Sequence, residues 1–507
     1  LERHRGIVQQ HFDEVFRDAP AENAGADYKD ESEIWLGVLP EQETVRRLQE
    51  LGYQDTAETV RRLTAQLASS RYKQLPASSR QRFDTLMPIV ISKSAEEANP
   101  DQALLRTTDL LDNICRRASY LALLAESPAA LSLVVKLVAA SPWLSQYLSQ
   151  HPILLDELLD TRQLYAPPDF TAMYRELKKR LAENEGDIER QMDLMRHFKH
   201  AAVFRFAAQD IAGELRLEKL SDYLSALADL ILQATLELLW PTIRGKHRDV
   251  PQFAVIGYGK LGGKELGYAS DLDIIFLYDD DAPGAGEAYA RLGQRINTWL
   301  SSMTAAGTLY ETDIELRPDG ASGLLVSSVE AFRDYQLSKA WTWEHQALTR
   351  ARFCVGDRKV GAAFEAIRNE VLMQQRDLDK LRQEITAMRQ KMLDAHPNTS
   401  ELFDLKHDRG GIIDVEFMVQ YLVLAYAHAH PELTGNIGNL ALLKLLGELG
   451  YISSQQAKTA AAAYRLYRRL QHSIRLQGET RARVPRKQVE THVRAVLALW
   501  QALFGQG

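Results

Sequence analysis

Apolar residues recur at helical spacing along most of the chain, and only one stretch changes to the short apolar runs of strands. Leu1–Pro20 reads as an amphipathic helix, with a small, polar and acidic linker after it at Ala21–Asp30. Helices are expected at Glu41–Leu51, Thr56–Leu67, Ser78–Leu86 and Pro100–Ala125, with the proline of Met87–Ser92 opening a separate segment. Ser127–Pro128 and Ser141–Pro142 are cap-and-first-turn pairs, so these prolines punctuate a series of short helices, and Pro152 ends the second of them. Phe170–Asn184, Ile188–Arg216 and Glu218–Trp240 carry long 3.6-residue patterns, and no strand is expected before Trp240.

After a basic connection at Pro241–Val250, the pattern turns mixed. Phe253–Ile256 and Leu272–Leu277 are apolar, strand-forming runs separated by a glycine-rich turn and a short helix. A helix at Ala285–Ala305, strands at Thr308–Leu316, Leu324–Ser327 and Phe353–Val355, and helices at Val329–Gln336 and Ala340–Thr349 complete the segment. Helices then resume at Gly361–Gln374, Leu378–Ala395, Ile413–His428, Leu440–Leu449, Ser454–Leu476 and Gln488–Leu503. Asp377–Met392 reads as a solvated helix and Ala460–Leu476 as a packed helix with one wet side. The expected fold is mainly α with an inserted α+β core: residues 1–120 a helical connecting segment, 121–375 leading helices and the sheet core (about 250–357), and 376–507 a helical bundle.

Composition narrows the class without naming it. The 507 residues are enough for several domains, and 45% hydrophobic with 25% charged residues is ordinary for a globular protein. A net charge of −7 argues against a nucleic-acid binder. Cys115 and Cys354 are the only cysteines and lack partners at metal spacing, which disfavours disulfides and zinc and fits a reducing cytoplasm. No secretory leader is visible, and no apolar run reaches the length of a membrane span, so no membrane partner is expected. The chain starts at Leu1 rather than Met, inside a helical pattern, and reads as a piece of a longer protein.

The chemistry concentrates in FAVIGYGKLGGKELGYASDLDIIFLY, Phe253–Tyr278. Asp271 and Asp273 stand two apart at the mouth of the second strand, so both project to one face, where two carboxylates repel unless a cation lies between them. Such a pair suits Mg²⁺, which takes hard oxygen ligands and bridges carboxylate to phosphate. The turn of Gly257, Gly259, Lys260, Gly262 and Gly263, with Ser270, offers backbone N–H groups to a phosphate chain. The loop is too short for a Rossmann crossover and contains no GK[ST] of a Walker A motif. Asp313, in GTLYETDIELRPDG, would sit on a neighbouring strand and close a three-carboxylate cluster. Lys260 and Arg317 are candidate phosphate cations, against a solvent-facing turn lysine and a salt bridge within the sheet. Lys406, before a GG turn, is a further candidate for the nucleotide; Asp414 and Glu416 read as dipole-compensating residues of the helix that follows. Glu344 and Arg350 could touch a nucleotide or pair with other charges.

Three aspartates, a glycine turn and this spacing resemble the nucleotidyltransferase superfamily. GYGKLGGKELGYASDLDIIFLYD, LRPDGASGLLVSSVEAF, WTWEHQALTRAR and FDLKHDRGGIIDVEFMVQYLVL resemble the bacterial glutamine synthetase adenylyltransferase/adenylyl-removing family, whose long chains carry two related halves. One motif set occurs here, and its wording resembles the C-terminal half, which adds AMP. The resemblance implies a polymerase-β-like core, ATP as substrate, two Mg²⁺ ions on Asp271, Asp273 and Asp313, a tyrosine of glutamine synthetase as acceptor, and control by the PII signalling protein and glutamine. Phosphorolytic removal of AMP, transfer to another acceptor, and a non-catalytic regulatory module are the competing readings. One position departs from the family: Glu315 stands where it has an arginine. On a strand, Asp313, Glu315 and Arg317 would face the same way, and Glu315 would weaken ATP binding.

Overall fold

The computed structural model describes residues 28–505, so the expected helix at Leu1–Pro20 and most of the Ala21–Asp30 linker lie outside the described residues. Lys29–Leu36 is helical, so the helix pattern resumes before that linker was expected to end. The chain divides into two compact units, Leu1–Thr161 and Arg162–Gly507.

The first unit is built of helices and one 3-10 segment, Pro152–Leu159, among its described residues. Its pivot is Ala77–Ala95, which runs straight through Pro88 rather than starting anew there. Proline's fixed φ is already helical and its cost is one missing donor; burial of Leu86–Ile91 outweighs it. One turn earlier, Asp84 accepts from Trp35 Nε1 (2.9 Å) and Tyr72 OH (2.6 Å), pinning two neighbouring helices to this one. The expected helix Pro100–Ala125 is broken at Cys115–Arg117 into Pro100–Ile114 and Ala118–Glu126, which lets both apolar faces pack on Ala77–Ala95. Ser141 Oγ caps Pro142–Gln150 by accepting from the Leu144 N–H at 3.1 Å, whereas the Ser127 side chain makes no such bond. Pro128–Ala140 and Pro142–Gln150 pack on Pro100–Ile114, so the first unit closes after Thr161 and not at residue 120.

The second unit holds the sheet. β1 (Phe253–Gly257) and β2 (Leu272–Tyr278) pair antiparallel, and β7 (Arg352–Gly356) flanks β1 antiparallel. β5 (Thr312–Asp313) and β6 (Val326–Ser328) both run parallel to β2, on its Asp273 end and its Tyr278 end. β1 is buried on both faces, which is why it reads as an unbroken apolar run. The expected strand Thr308–Leu316 survives only as β5: Gly307–Thr308 (β4) instead folds back on Met303–Thr304 (β3), and the helix before it, Ala285–Ser301, stops short of Ala305. Leu217–Leu239 matches, with its extension to Thr242, a membrane span in length and composition, but 67% of that window is buried in the fold.

After Arg358–Leu372, which packs back on the sheet, five more helices follow: Leu378–Ala395, Ile412–Tyr426, Asn439–Glu448, Ser454–Leu476 and Arg486–Phe504. A two-stranded ribbon, β8 (Phe403–Asp404) with β9 (Arg483–Val484), ties their loops. One buried apolar cluster runs without interruption from Ile256 and Ile275 of the sheet to Tyr467 and Trp500 of these helices. The bundle and the sheet therefore share a core across residue 375.

Candidate active site

Three carboxylates meet at the N-terminal end of β2. Asp273 lies opposite Asp313 in the parallel β2–β5 register, and Asp271 precedes β2 by one residue. Burial, then the charges of Asp271 and Asp313, push the Asp273 carboxyl from 3.8 up to about 6, against the opposing pull of Lys260. β5 ends at Asp313 because its Oδ1 turns back to accept from the Glu315 N–H at 2.9 Å.

The turn between β1 and β2 wraps around Asp273. Tyr258 N–H donates to the Asp273 carbonyl at 2.8 Å, and the Lys260 backbone N–H donates to its carboxylate. Gly259 holds φ +52, and a Cβ there would stand 2.1 Å from Asp273 Oδ2. The other glycines face protein: a Cβ would meet Cys354 Sγ at 2.6 Å from Gly257, the Arg350 carbonyl at 1.9 Å from Gly262, and the Arg350 guanidinium at 2.8 Å from Gly263. Their close approach is to β7 and its preceding turn. Ser270 Oγ accepts from the Gly267 N–H at 2.9 Å and so shapes the loop that delivers Asp271.

Crowding of the Lys260 ammonium by surrounding protein, then the charge of Lys406, lowers its pKa, while Asp271 and Asp273 raise it. Lys406, from a loop 146 residues further on, thus lies near Lys260, which borders the carboxylates. Lys406 is presented by a tightly wound loop: Asp404 Oδ1 accepts from the N–H groups of Lys406 and His407 at 3.0 Å each, and the buried Arg389 bonds both the His407 carbonyl (2.8 Å) and Asp414 Oδ1 (2.5 Å). Asp414 is therefore a buried ion partner as well as a first-turn acid.

Arg317 is not brought into this group. Its guanidinium donates to the carbonyls of Ile314 (2.7 Å), Ala321 (3.1 Å) and Gly323 (3.4 Å), clamping its own loop. Glu315 is exposed and off the strand, so the expected common face of Asp313, Glu315 and Arg317 does not form. Glu344 closes its own helix start, accepting from Trp341 N–H (2.8 Å) and Tyr335 OH (2.9 Å). Arg350 pairs with Glu265 and Glu416.

One anchor is absent from the sequence reading. Tyr268 OH donates to Asp210 Oδ2 at 2.9 Å, and His472 Nε2 lies 2.7 Å from the same oxygen, fixing the loop two residues before Ser270. Its three residues are 58 and 262 positions apart along the chain, too far for any spacing rule to link them.

Asp271, Asp273 and Asp313 offer carboxylate oxygens, the donor type that a hard divalent cation takes. Among the described residues no three acidic, imidazole or thiol groups already stand at ligand distance, yet none of Asp271, Asp273 and Asp313 is neutralised by an ion pair. Carboxylates that raise one another's pKa and close no ion pair are the kind of group whose repulsion an oxygen-seeking cation relieves.

The protein-family model described as glutamate-ammonia ligase adenylyltransferase matches residues 131–367, and that described as GlnD PII-uridylyltransferase matches residues 378–497. Relatives named bifunctional glutamine synthetase adenylyltransferase/adenylyl-removing enzyme are 55% identical over 505 residues in Aromatoleum aromaticum, 53% over 502 in Chromobacterium violaceum and 50% over 531 in Nitrosomonas europaea. These alignments take in 99–100% of this chain but 53–56% of each relative, so the chain spans about half the length of the curated relatives it matches. By sequence along its whole length, the chain belongs to the glutamine synthetase adenylyltransferase/adenylyl-removing family.

Proposed function

We propose that this chain is the AMP-adding half of such an enzyme, with a polymerase-β-like core that moves AMP from ATP to a tyrosine hydroxyl of glutamine synthetase and releases pyrophosphate. The observation that carries the reading is the meeting of Asp271, Asp273 and Asp313 beside Lys260 in a chain with a single set of these motifs. In the transfer, the tyrosine oxygen bonds to the α-phosphorus as the bond to the pyrophosphate oxygen breaks. The protein's part is to position reactants and stabilise charge. Asp271 and Asp273 would hold two Mg²⁺ ions and Asp313 one of them; when bound, they neutralise the triphosphate and acidify the attacking hydroxyl. Asp313 is the acceptor for the hydroxyl proton. Lys260 and Lys406 pair with the triphosphate, and the backbone at Gly259 lies against it. The 378–497 helices, which match the PII-uridylyltransferase model, are assigned to control by PII. A cytoplasmic site of action follows from this substrate pair.

The test is direct. Chain, Mg-ATP and unmodified glutamine synthetase should give AMP-labelled glutamine synthetase and pyrophosphate; no label from a well-folded chain overturns the reading. Phosphate-dependent release of ADP from adenylylated glutamine synthetase would assign the removing direction instead.

A further inference from the structure

Behind the glycine turn, away from the aspartates, lies a closed network of side chains from the sheet region and the C-terminal helices. Arg350, in the turn leading to β7, donates through Nη2 to Glu265 Oε2 at 2.5 Å and through Nη1 to Glu416 Oε1 at 2.6 Å. Arg468 Nη1 meets the same Glu265 oxygen at 2.9 Å, and its Nη2 donates to the Glu265 carbonyl at 3.1 Å. Tyr464 OH stands between the carboxylates, 2.8 Å from Glu265 and 3.1 Å from Glu416, and accepts from Asn439 Nδ2 at 2.9 Å. Asn436 Nδ2 reaches the carbonyls of Gly262 (3.0 Å) and Ala351 (3.2 Å).

Apart from Asn439, which ends on Tyr464, each of these groups ends on the 262–265 backbone, on Glu265, or on the Arg350 that lies against Gly262 and Gly263. Burial would raise the Glu265 carboxyl, but Arg350 and Arg468 outweigh it and hold it below the ordinary range. Two carboxylates and two guanidiniums leave the network neutral. Buried ion networks give less stability than an apolar core of the same volume; what they supply is direction and distance. Here they tie Glu265 and the backbone at Gly262 to the C-terminal helices through Tyr464, Arg468 and Asn436.

We propose that Arg350 and Tyr464 are positioning residues through which the C-terminal helices set the glycine turn, so that Lys260 and Asp273 are presented to the nucleotide only while the network is closed. The nucleotide part rests on the function proposed above.

The experiment uses the full chain with Tyr464→Phe, which keeps the ring and removes the hydroxyl, and Glu416→Gln, which keeps the shape and removes one charge. Amide hydrogen exchange without nucleotide should accelerate several-fold across residues 259–265 in both variants, and remain unchanged in Pro128–Ala140 of the other unit. The Mg-ATP dissociation constant should rise about tenfold, inside the range of site-to-site coupling. The KM for ATP should rise with it while kcat stays within about twofold. A merely structural role would lower the melting temperature and leave folded-state affinity and KM alone. Unchanged exchange at 259–265 in both variants overturns the proposal, as does faster exchange with unaltered ATP affinity. If the parent chain itself binds no Mg-ATP, the proposed function fails, and the exchange result alone decides the mechanical tie.

Discussion

On the front of the 257–265 turn, Asp271 and Asp313 stand near enough to Asp273 to act on its charge, with Lys260 alongside and no ion pair closed. On its back, Glu265 and Glu416 lie within 3 Å of guanidiniums and share a tyrosine hydroxyl. The same chemical groups are thus handled in opposite ways less than ten residues apart. In front, repulsion and burial push Asp273 up to about 6; behind, burial is outweighed and Glu265 is pulled down. Uncompensated charge in front is an invitation to a ligand of opposite sign, while compensated charge behind is a fixed strut. Under the proposed function, the contrast separates the groups that would do chemistry from those that would hold them.

The largest effect should come from the front. Asp271→Asn or Asp273→Asn should lower AMP transfer by about a thousandfold, the several kcal/mol that a bound divalent ion contributes. The check is the rate of AMP labelling, and near-normal turnover would place the chemistry on other carboxylates. Next is the back: Arg350→Met leaves two half-buried carboxylates facing one another and should cost about 3–5 kcal/mol of stability, read from urea unfolding. An unchanged unfolding midpoint would mean that Arg468 suffices alone.

A third prediction links pH to the same contrast. The folded Asp273 carboxyl takes up its proton at about 6 and the unfolded one near 3.8, so the folded state binds the proton more tightly between these values. Ionisation therefore penalises the folded, metal-free chain fully above about pH 6, and the penalty fades as pH falls towards 3.8. Asp273→Asn should accordingly raise metal-free stability at pH 7, by at most about 3 kcal/mol, and the gain should vanish near pH 4. A pH-independent gain would assign it to something other than this charge. The smallest effect belongs to Glu315→Arg. Because β5 stops at Asp313 and Glu315 is exposed, the swap should change ATP affinity by less than about 0.5 kcal/mol in calorimetry. A tenfold tightening would restore the expectation that this side chain looks into the cluster.

Where periodicity is strong and local, the sequence reads well. Leu378–Ala395 and Ser454–Leu476 have the bounds their amphipathic patterns predict, because a capped 3.6-residue stripe is encoded within the segment itself. β1 and β2 were equally legible as apolar runs either side of the glycines. β5 was not: its extent is decided by the Asp313 side chain and the Arg317 clamp, both loop interactions that override alternation. Pro88 misled for a related reason, since local propensity pointed to a break that burial cancels.

What the sequence alone determined is the set of chemical possibilities: two aspartates two apart at the start of a strand, a third within reach, glycines where a backbone must come close, and helices before and after. What only the tertiary structure decided is which charges stay open. Arg350 and Arg317 are equally cationic on paper, and the fold sends one to two glutamates and the other to three carbonyls. The partners that settle this lie 66 and 85 residues from Arg350, and 199 residues separate Tyr464 from Glu265. Pattern along a chain reports only neighbours within a few turns, whereas the free energy of a charge depends on whatever packing brings within a few ångströms of it.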